Sequence, residues 1–182
     1  RWPDAIDISV NISPVQLRVA GFAADARRIV AESGLSPSRV VLEITESAVL
    51  DTDATTRECL VALRQAGFRV SLDDFGTGYS SLKALRVVEI DKIKIDKAFV
   101  GEFNIAEAST SIVHAIVAIA RSLGIRTTAE GIEAAEQAAQ LAAEGCDEGQ
   151  GYYFSRPLAA EAAYAFTRTH EAHEALPRAA SA

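Results

Sequence analysis

The sequence predicts an α/β fold, a TIM-like (β/α) barrel that is incomplete, with about six of its eight units present. Short apolar runs alternate with longer amphipathic stretches along the chain, as strand–helix–strand crossovers of a parallel sheet require. Within the runs, polar and apolar residues alternate with period two, so one face meets helices and the other is wet. An open doubly wound sheet buries both strand faces and reads as near-continuous apolar runs, so a barrel with a polar mouth fits better. A complete barrel needs about 250 residues. This chain has 182 and opens on Arg1 with no methionine, so the missing units are expected upstream.

The expected strands are Ala5–Val10, Val40–Ile44, Phe68–Leu72, Lys92–Ile95, Ile125–Ala129 and a weak Gly145–Gly149. In the first, Ile6, Ile8 and Val10 oppose Asp7, Ser9 and Asn11; in the third, Phe68, Val70 and Leu72 oppose Arg69, Ser71 and Asp73. In the fourth, Ile93 and Ile95 oppose Lys92, Lys94 and Asp96. Helices are expected over Gln16–Glu32, Thr55–Gln65 and Ala134–Glu144. Another carries Ile112, Ile116, Ile119 and Leu123 as one apolar stripe, with Val113, Val117 and Ala120 beside it. Gly34, Gly67, Gly124 and Gly145 follow helix ends, where glycine accepts a left-handed turn. Residues 1–168 form the domain, and 169–182 are expected to fray as an Ala-rich tail.

Composition narrows the function classes. With 49% hydrophobic and 24% charged residues the chain is an ordinary globular one. Its formal charge of −7 argues against a nucleic-acid polymer as partner, and an anionic ligand then needs added cations. No segment is apolar enough for membrane contact. Cys59 and Cys146 form no C-x-x-C and read as buried thiols of a reducing, cytoplasmic protein. His114 reads as a partly buried helix histidine, Trp2 as packing, and His170 and His173 as residues of an exposed terminal stretch.

Every strand ends in a polar side chain. The tips carry Asn11, then Glu43 with Glu46 three on, Asp73-Asp74, Lys94 and Asp96, Glu130 with Glu133 three on, and Gln150. Oxygen donors without His or Cys suit Mg²⁺ or Mn²⁺ and not zinc. Asn11, Glu43, Asp73, Asp74 and Glu130 are therefore candidate metal ligands. So many carboxylates repel one another unless cations intervene; Lys94 supplies one charge and metal ions the rest. Taken singly, each acid also reads as a helix N-cap, Asp73-Asp74 as a turn, and Glu46 and Glu133 as capping-box members. Recurrence at one end of successive strands favours the site.

Six motifs in order resemble those of EAL domains: Ser9-Val10-Asn11-Ile12-Ser13-Pro14, Leu42-Glu43-Ile44-Thr45-Glu46, Asp73 through Leu82, Lys94-Ile95-Asp96, Ala129-Glu130-Gly131-Ile132-Glu133 and Gln150 through Pro157. Asp74-Phe75-Gly76 alone also resembles the protein-kinase metal motif, but neither a glycine-rich loop nor H-R-D precedes it. The EAL resemblance implies hydrolysis of cyclic di-GMP to linear pGpG in bacterial second-messenger signalling. It implies two ions, Mg²⁺ or Mn²⁺, held by Asn11, Glu43, Asp73, Asp74 and Glu130. Glu130 is then also the candidate general base, with Lys94 orienting water or offsetting phosphate charge. Gln150 completes the site, and Asp96 and Glu133 are supporting or ligand-binding positions. Glu46 steadies the Gly76-Thr77-Gly78 loop, and a homodimer through Gly76–Ser81 is expected.

One departure stands out. The Glu-Ala-Leu triplet occurs only as Glu174-Ala175-Leu176 in the tail, with no strand around it. The resemblance places the true triplet before the Ser-Val-Asn motif, where it supplies a further metal-holding Glu. The expectation is an active parent protein and a 182-residue piece inactive by itself. The alternatives are a catalytically inactive EAL-type cyclic di-GMP receptor, and an unrelated barrel metalloenzyme, which leaves the ordered motifs unexplained.

Overall fold

A computed structural model describes residues 6–50, 53–76, 85, 88–103 and 107–169. Residues 4–92 and 93–182 form separate compact units.

In the first unit, β1 (Ile8–Asn11), β2 (Val40–Thr45) and β3 (Arg69–Phe75) pair side by side, all parallel. Helices α1 (Pro14–Leu17) and α2 (Phe22–Glu32) connect β1 to β2, followed by a 3-10 turn at Pro37–Arg39. Helices α3 (Glu46–Leu50) and α4 (Ala54–Gln65) connect β2 to β3. Val41, Ile44, Val70 and Leu72 are almost fully buried with Leu60 and Leu63 of α4. β-Branched residues at successive positions of β2 favour that pleated, covered surface.

The second unit holds most of β4 (Lys92–Ile95), then α5 (Lys97–Gly101), α6 (Glu107–Leu123) and β5 (Arg126–Ala129). It ends with α7 (Ala135–Ala143), β6 (Glu148–Gly149) and α8 (Ala160–Thr169). β5 and β6 are parallel, with Thr128 opposite Glu148. The Glu130 amide donates to the Ile95 carbonyl at 3.1 Å and so ties the tip of β5 to the tip of β4.

All the expected strands form. β3 runs on through Asp73-Asp74 to Phe75, β1 starts later than expected, and β6 is short. Gly34, Gly67, Gly124 and Gly145 take φ between 70° and 95°. Helix expectations differ in three places. The stretch expected as one helix over Gln16–Glu32 is two. Ser13 opens α1 with its hydroxyl accepting from the Gln16 amide while the Gln16 side chain accepts from the Ser13 amide. Gly21, at φ 85°, then breaks the path before α2. The short α3 and α5 were not expected. In α6 the buried stripe is Ser109, Val113, Ile116, Val117 and Ala120, whereas Ile112 and Leu123 are exposed. Both stripes are apolar, so periodicity alone does not choose. The buried face includes Ser109, whose hydroxyl is satisfied by Glu102 at 2.8 Å.

His114 is exposed and its imidazole meets the Glu144 carboxylate at the end of α7, so it is a surface residue and not a partly buried one. Cys146 is buried and Cys59 only half-buried. Trp2, His170, His173 and almost all of the expected tail lie outside the described residues. Among the described residues no helix is long and apolar enough to cross a membrane.

Two strands enter their sheets through the same device. The Asp91 carboxylate, just before β4, accepts from the Val70 amide at 2.7 Å, and the Asp91 amide returns a bond to the Val70 carbonyl at 2.9 Å. Arg64 neutralises that carboxylate. Asp147, just before β6, accepts from the Thr127 amide at 2.9 Å, and its own amide donates to the Thr127 hydroxyl at 3.2 Å. Each carboxylate satisfies a strand-entry amide that would otherwise be buried without a partner.

Candidate active site

In the first unit, register brings the predicted residues into rows. Asn11 lies directly opposite Glu43, and Glu43 opposite Ser71. Partners across a parallel pair share a face, so the three form one polar row across β1, β2 and β3. The next row toward the strand tips pairs Thr45 with Asp73. Arg69 and Asp7, from the other end of that polar face, form an ion pair. Asn11 is exposed, Asp73 half-buried, and Glu43 only 8% exposed. A carboxylate that deeply placed is costly unless donors or a cation compensate it.

Asp73 and Asp74 present carboxylate oxygens within 4.8 Å of each other. Asp74 has φ 53°, a left-handed conformation that among non-glycine residues Asp and Asn adopt most readily. Its amide donates to the Asp73 carboxylate at 3.2 Å, and Gly76 follows at φ 98°. The turn breaks strand alternation at the acidic pair, where two consecutive carboxylates would otherwise take opposite faces. Glu46 is 5% exposed and is the first residue of α3. The rest of the glycine loop, Thr77 and Gly78, lies outside the described residues, as do the expected dimer residues through Ser81.

In the second unit, Lys94 Nζ is 2.7 Å from Glu130 Oε1. Lys94 is buried on the polar side of β4, between the fully buried Ile93 and Ile95. Gln150 follows β6 at the same end, its amide donating to the Ala129 carbonyl at 2.8 Å. Its carbonyl accepts from the Ile132 amide at 3.0 Å, so the Glu130 and Gln150 segments are stitched together. Asp96 caps α5, accepting from the Ala98 amide at 2.8 Å. Glu133 is exposed, and the capping-box side chain is that of Gln137 in the first turn of α7, which accepts from the amides of Glu133 and Ala134. The Glu133 carboxylate is thus not a cap.

The first unit groups Asn11, Glu43, Asp73 and Asp74, and the second groups Lys94, Glu130 and Gln150. Each donor set is all oxygen apart from Lys94, and the close Asp73–Asp74 oxygens beside a buried Glu43 fit a hard divalent ion. Ser71, fully buried in the Glu43 row, and Thr45, opposite Asp73 in the next, join the predicted residues, and both sit in or beside the recognised motifs. Their register position marks them as part of the polar wall.

A family model described as an EAL domain matches residues 1–157. An uncharacterized protein, y4lL, of Sinorhizobium fredii is 43% identical over 178 residues, covering 98% of this chain and 22% of that protein. The cyclic di-GMP phosphodiesterase RocR of Pseudomonas aeruginosa is 38% identical over 153 residues, 84% of this chain and 39% of RocR. Among solved structures, the EAL domain of Mycobacterium smegmatis DcpA aligns with TM-score 0.85 at 38% identity, covering 90% of this chain and 74% of that one. Klebsiella pneumoniae BlrP1 in complex with manganese and cyclic di-GMP aligns with TM-score 0.78 at 35% identity, over 83% and 39%. This chain therefore spans only a minor part of the length of the curated relatives it matches.

Proposed function

This chain belongs to the EAL domain family, and from that premise we propose that it supplies the metal-dependent site with which a longer protein hydrolyses cyclic di-GMP to pGpG. The carrying observation is the in-register row of Asn11 beside Glu43, with Asp73 one row nearer the strand tips. An all-oxygen wall of this kind suits Mg²⁺ or Mn²⁺ and a phosphodiester. The RocR name and the BlrP1 complex with manganese and cyclic di-GMP support the same substrate and the same ion class.

In this reading Asn11, Glu43, Asp73, Asp74 and Glu130 hold two divalent ions, which when bound lower the pKa of water and polarise the phosphoryl oxygens. Glu130 accepts the proton of the attacking water. Lys94, already 2.7 Å from that carboxylate, keeps it aimed and offsets phosphate charge. Water oxygen bonds to phosphorus, the bond from phosphorus to one ribose 3′ oxygen breaks, and that oxygen takes up a proton. The product is a linear dinucleotide with a 5′ phosphate and a free 3′ hydroxyl. Gln150 closes the site, and Asp96 and Glu133 support it from the α5 and α7 entries. Glu46, buried at the start of α3, steadies the segment beyond Gly76, through which two copies pair. A cytoplasmic location completes the reading, in keeping with two free thiols.

The test is incubation of the full-length protein and of the 182-residue chain with cyclic di-GMP and Mn²⁺ or Mg²⁺, with nucleotides resolved by chromatography. The full-length protein is expected to yield pGpG and the short chain none, because the resemblance assigns one more metal-holding Glu to a strand outside these residues. Tight binding without cleavage by the full-length protein would establish the receptor reading instead.

A further inference from the structure

We propose that Ile132 is a positioning residue, the buried peg that holds Glu130 in line by locking its segment to that of Gln150; the effect on turnover rests on Glu130 acting as proposed above. Ile132 lies two residues beyond Glu130 and is fully buried. Its amide donates to the Gln150 carbonyl at 3.0 Å and its carbonyl accepts from the Tyr153 amide at 3.0 Å. One residue thus bonds the segment after β6 on both sides, while the Gln150 amide is fixed to Ala129.

The seat around this peg has no spare room: two glycines of the β6 segment face it, and a third, beside it in sequence, lies against α5. Gly131 takes φ 70°, and a Cβ there would stand 2.6 Å from the Lys97 Cβ. A Cβ on Gly149 would stand 2.7 Å from Ile132 Cδ1 and 3.1 Å from Phe154 Cζ. A Cβ on Gly151 would overlap the Ile132 amide nitrogen and carbonyl oxygen. Glycine at 149 and 151 lets the two segments approach to backbone contact, and Gly131 lets the Glu130 segment close on Lys97. The Glu130 main chain is held from one side by Ile95 and from the other by the seated Ile132, which leaves its carboxylate on Lys94. Ile132 itself is an aliphatic side chain with no chemistry to offer, so its contribution is geometric. Displacement of a reacting group by about 1 Å is enough to lower a rate about 100-fold.

The glycine contacts supply a compensating pair for the test. Gly149→Ala pushes a methyl against Ile132 Cδ1, and Ile132→Val removes that carbon. In the full-length protein Gly149→Ala is expected to lower kcat about tenfold with KM within about twofold. Gly149→Ala/Ile132→Val is expected to recover to within about threefold of the parent, a coupling that neighbouring residues show and distant ones do not. Amide exchange at Ile132 and Tyr153 is expected to quicken together in the single variant and slow again in the double. Should Gly149→Ala not fold, Ile132→Ala empties the seat instead of crowding it and carries the same expectation on kcat. Unchanged kcat in these single variants, or a double variant as slow as Gly149→Ala, overturns the proposal. If the unmodified protein does not cleave cyclic di-GMP while exchange follows the compensating cycle, the functional reading fails and the lock stands.

Discussion

Lys94 Nζ and Glu130 Oε1 meet at 2.7 Å with the lysine side chain 6% exposed and the carboxylate 16%. Burial of Ile93 and Ile95 on one face of β4 turns Lys94 to the other, and a carboxylate of the next strand is brought to it by a main-chain bond to Ile95. Removing one partner of a covered pair leaves the other charge stranded. Lys94→Met is expected to destabilise the fold by about 3 kcal/mol, near the lower end for buried pairs because Glu130 keeps some solvent. Glu130→Gln is expected to cut turnover about 10²–10⁴-fold, the range for an acid–base group. Thermal unfolding and steady-state kinetics on both variants separate the two effects.

Chelation should abolish turnover, and Mn²⁺ or Mg²⁺ should restore it. Glu43→Gln keeps the shape of the Asn11–Glu43 row and removes its charge. The expected result is an activity recovered only at much higher metal concentration, read by metal titration of the rate. Identical titrations for the variant and the parent would take Glu43 out of the ligand set.

Asp147→Ala removes the acceptor for the Thr127 amide, whose residue is 1% exposed. The expected loss is about 1–3 kcal/mol, the cost of a buried donor left without a partner. Asp147→Asn keeps a carbonyl oxygen in place and should lose less. Urea unfolding midpoints at unchanged slope check the order.

Asp53 caps α4 through the Thr56 amide at 2.8 Å, and that bond holds its carboxyl below the usual carboxylate range, with Arg18 adding a smaller pull. A depressed folded value means stability that is full above the unfolded value near 3.9 and is lost as pH falls through the folded one. The Asp53→Ala variant should therefore be less stable than the parent at neutral pH. The gap should narrow as pH falls below about 4. Melting temperatures at a series of pH values measure it.

Burial pushes both thiols up, at Cys146 against hydrogen bonds with the Thr127 side chain and the Glu148 backbone, and at Cys59 against an opposing backbone bond to Ala23. Alkylation at pH 8 should modify Cys59 first, because Cys146 is buried and Cys59 half-buried. Intact-mass time courses should show one adduct early and the second only as denaturant is added.

The strands and their polar faces were legible because period two is written into the side chains. Ser71 and Asp73 against Val70 and Leu72 needed no coordinates to be assigned opposite faces. The α6 face was not legible, since Ile112 and Leu123 are as apolar as Val113 and Val117 and only packing against neighbours selects between them. The break between α1 and α2 was signalled by Gly21, but a lone glycine inside a helical pattern is a weak stop. Of the candidate site, the sequence named residues but not their partners. That Lys94 meets Glu130, that Asp96 caps α5, and that Gln137 rather than Glu133 closes the α7 cap depend on distances across turns. Ile132 escaped notice because an aliphatic residue in a motif gives no chemical signal.

The aspartates ahead of β4 and β6 set different limits on how such a chain can vary. Each of the two aspartates makes a fastener of one acid and two hydrogen bonds, Asp91 to Val70 and Asp147 to Thr127. The first asks only main-chain groups of its neighbour and would accept another residue there, whereas the second uses a hydroxyl and ties the identity of position 127 to the acid that follows.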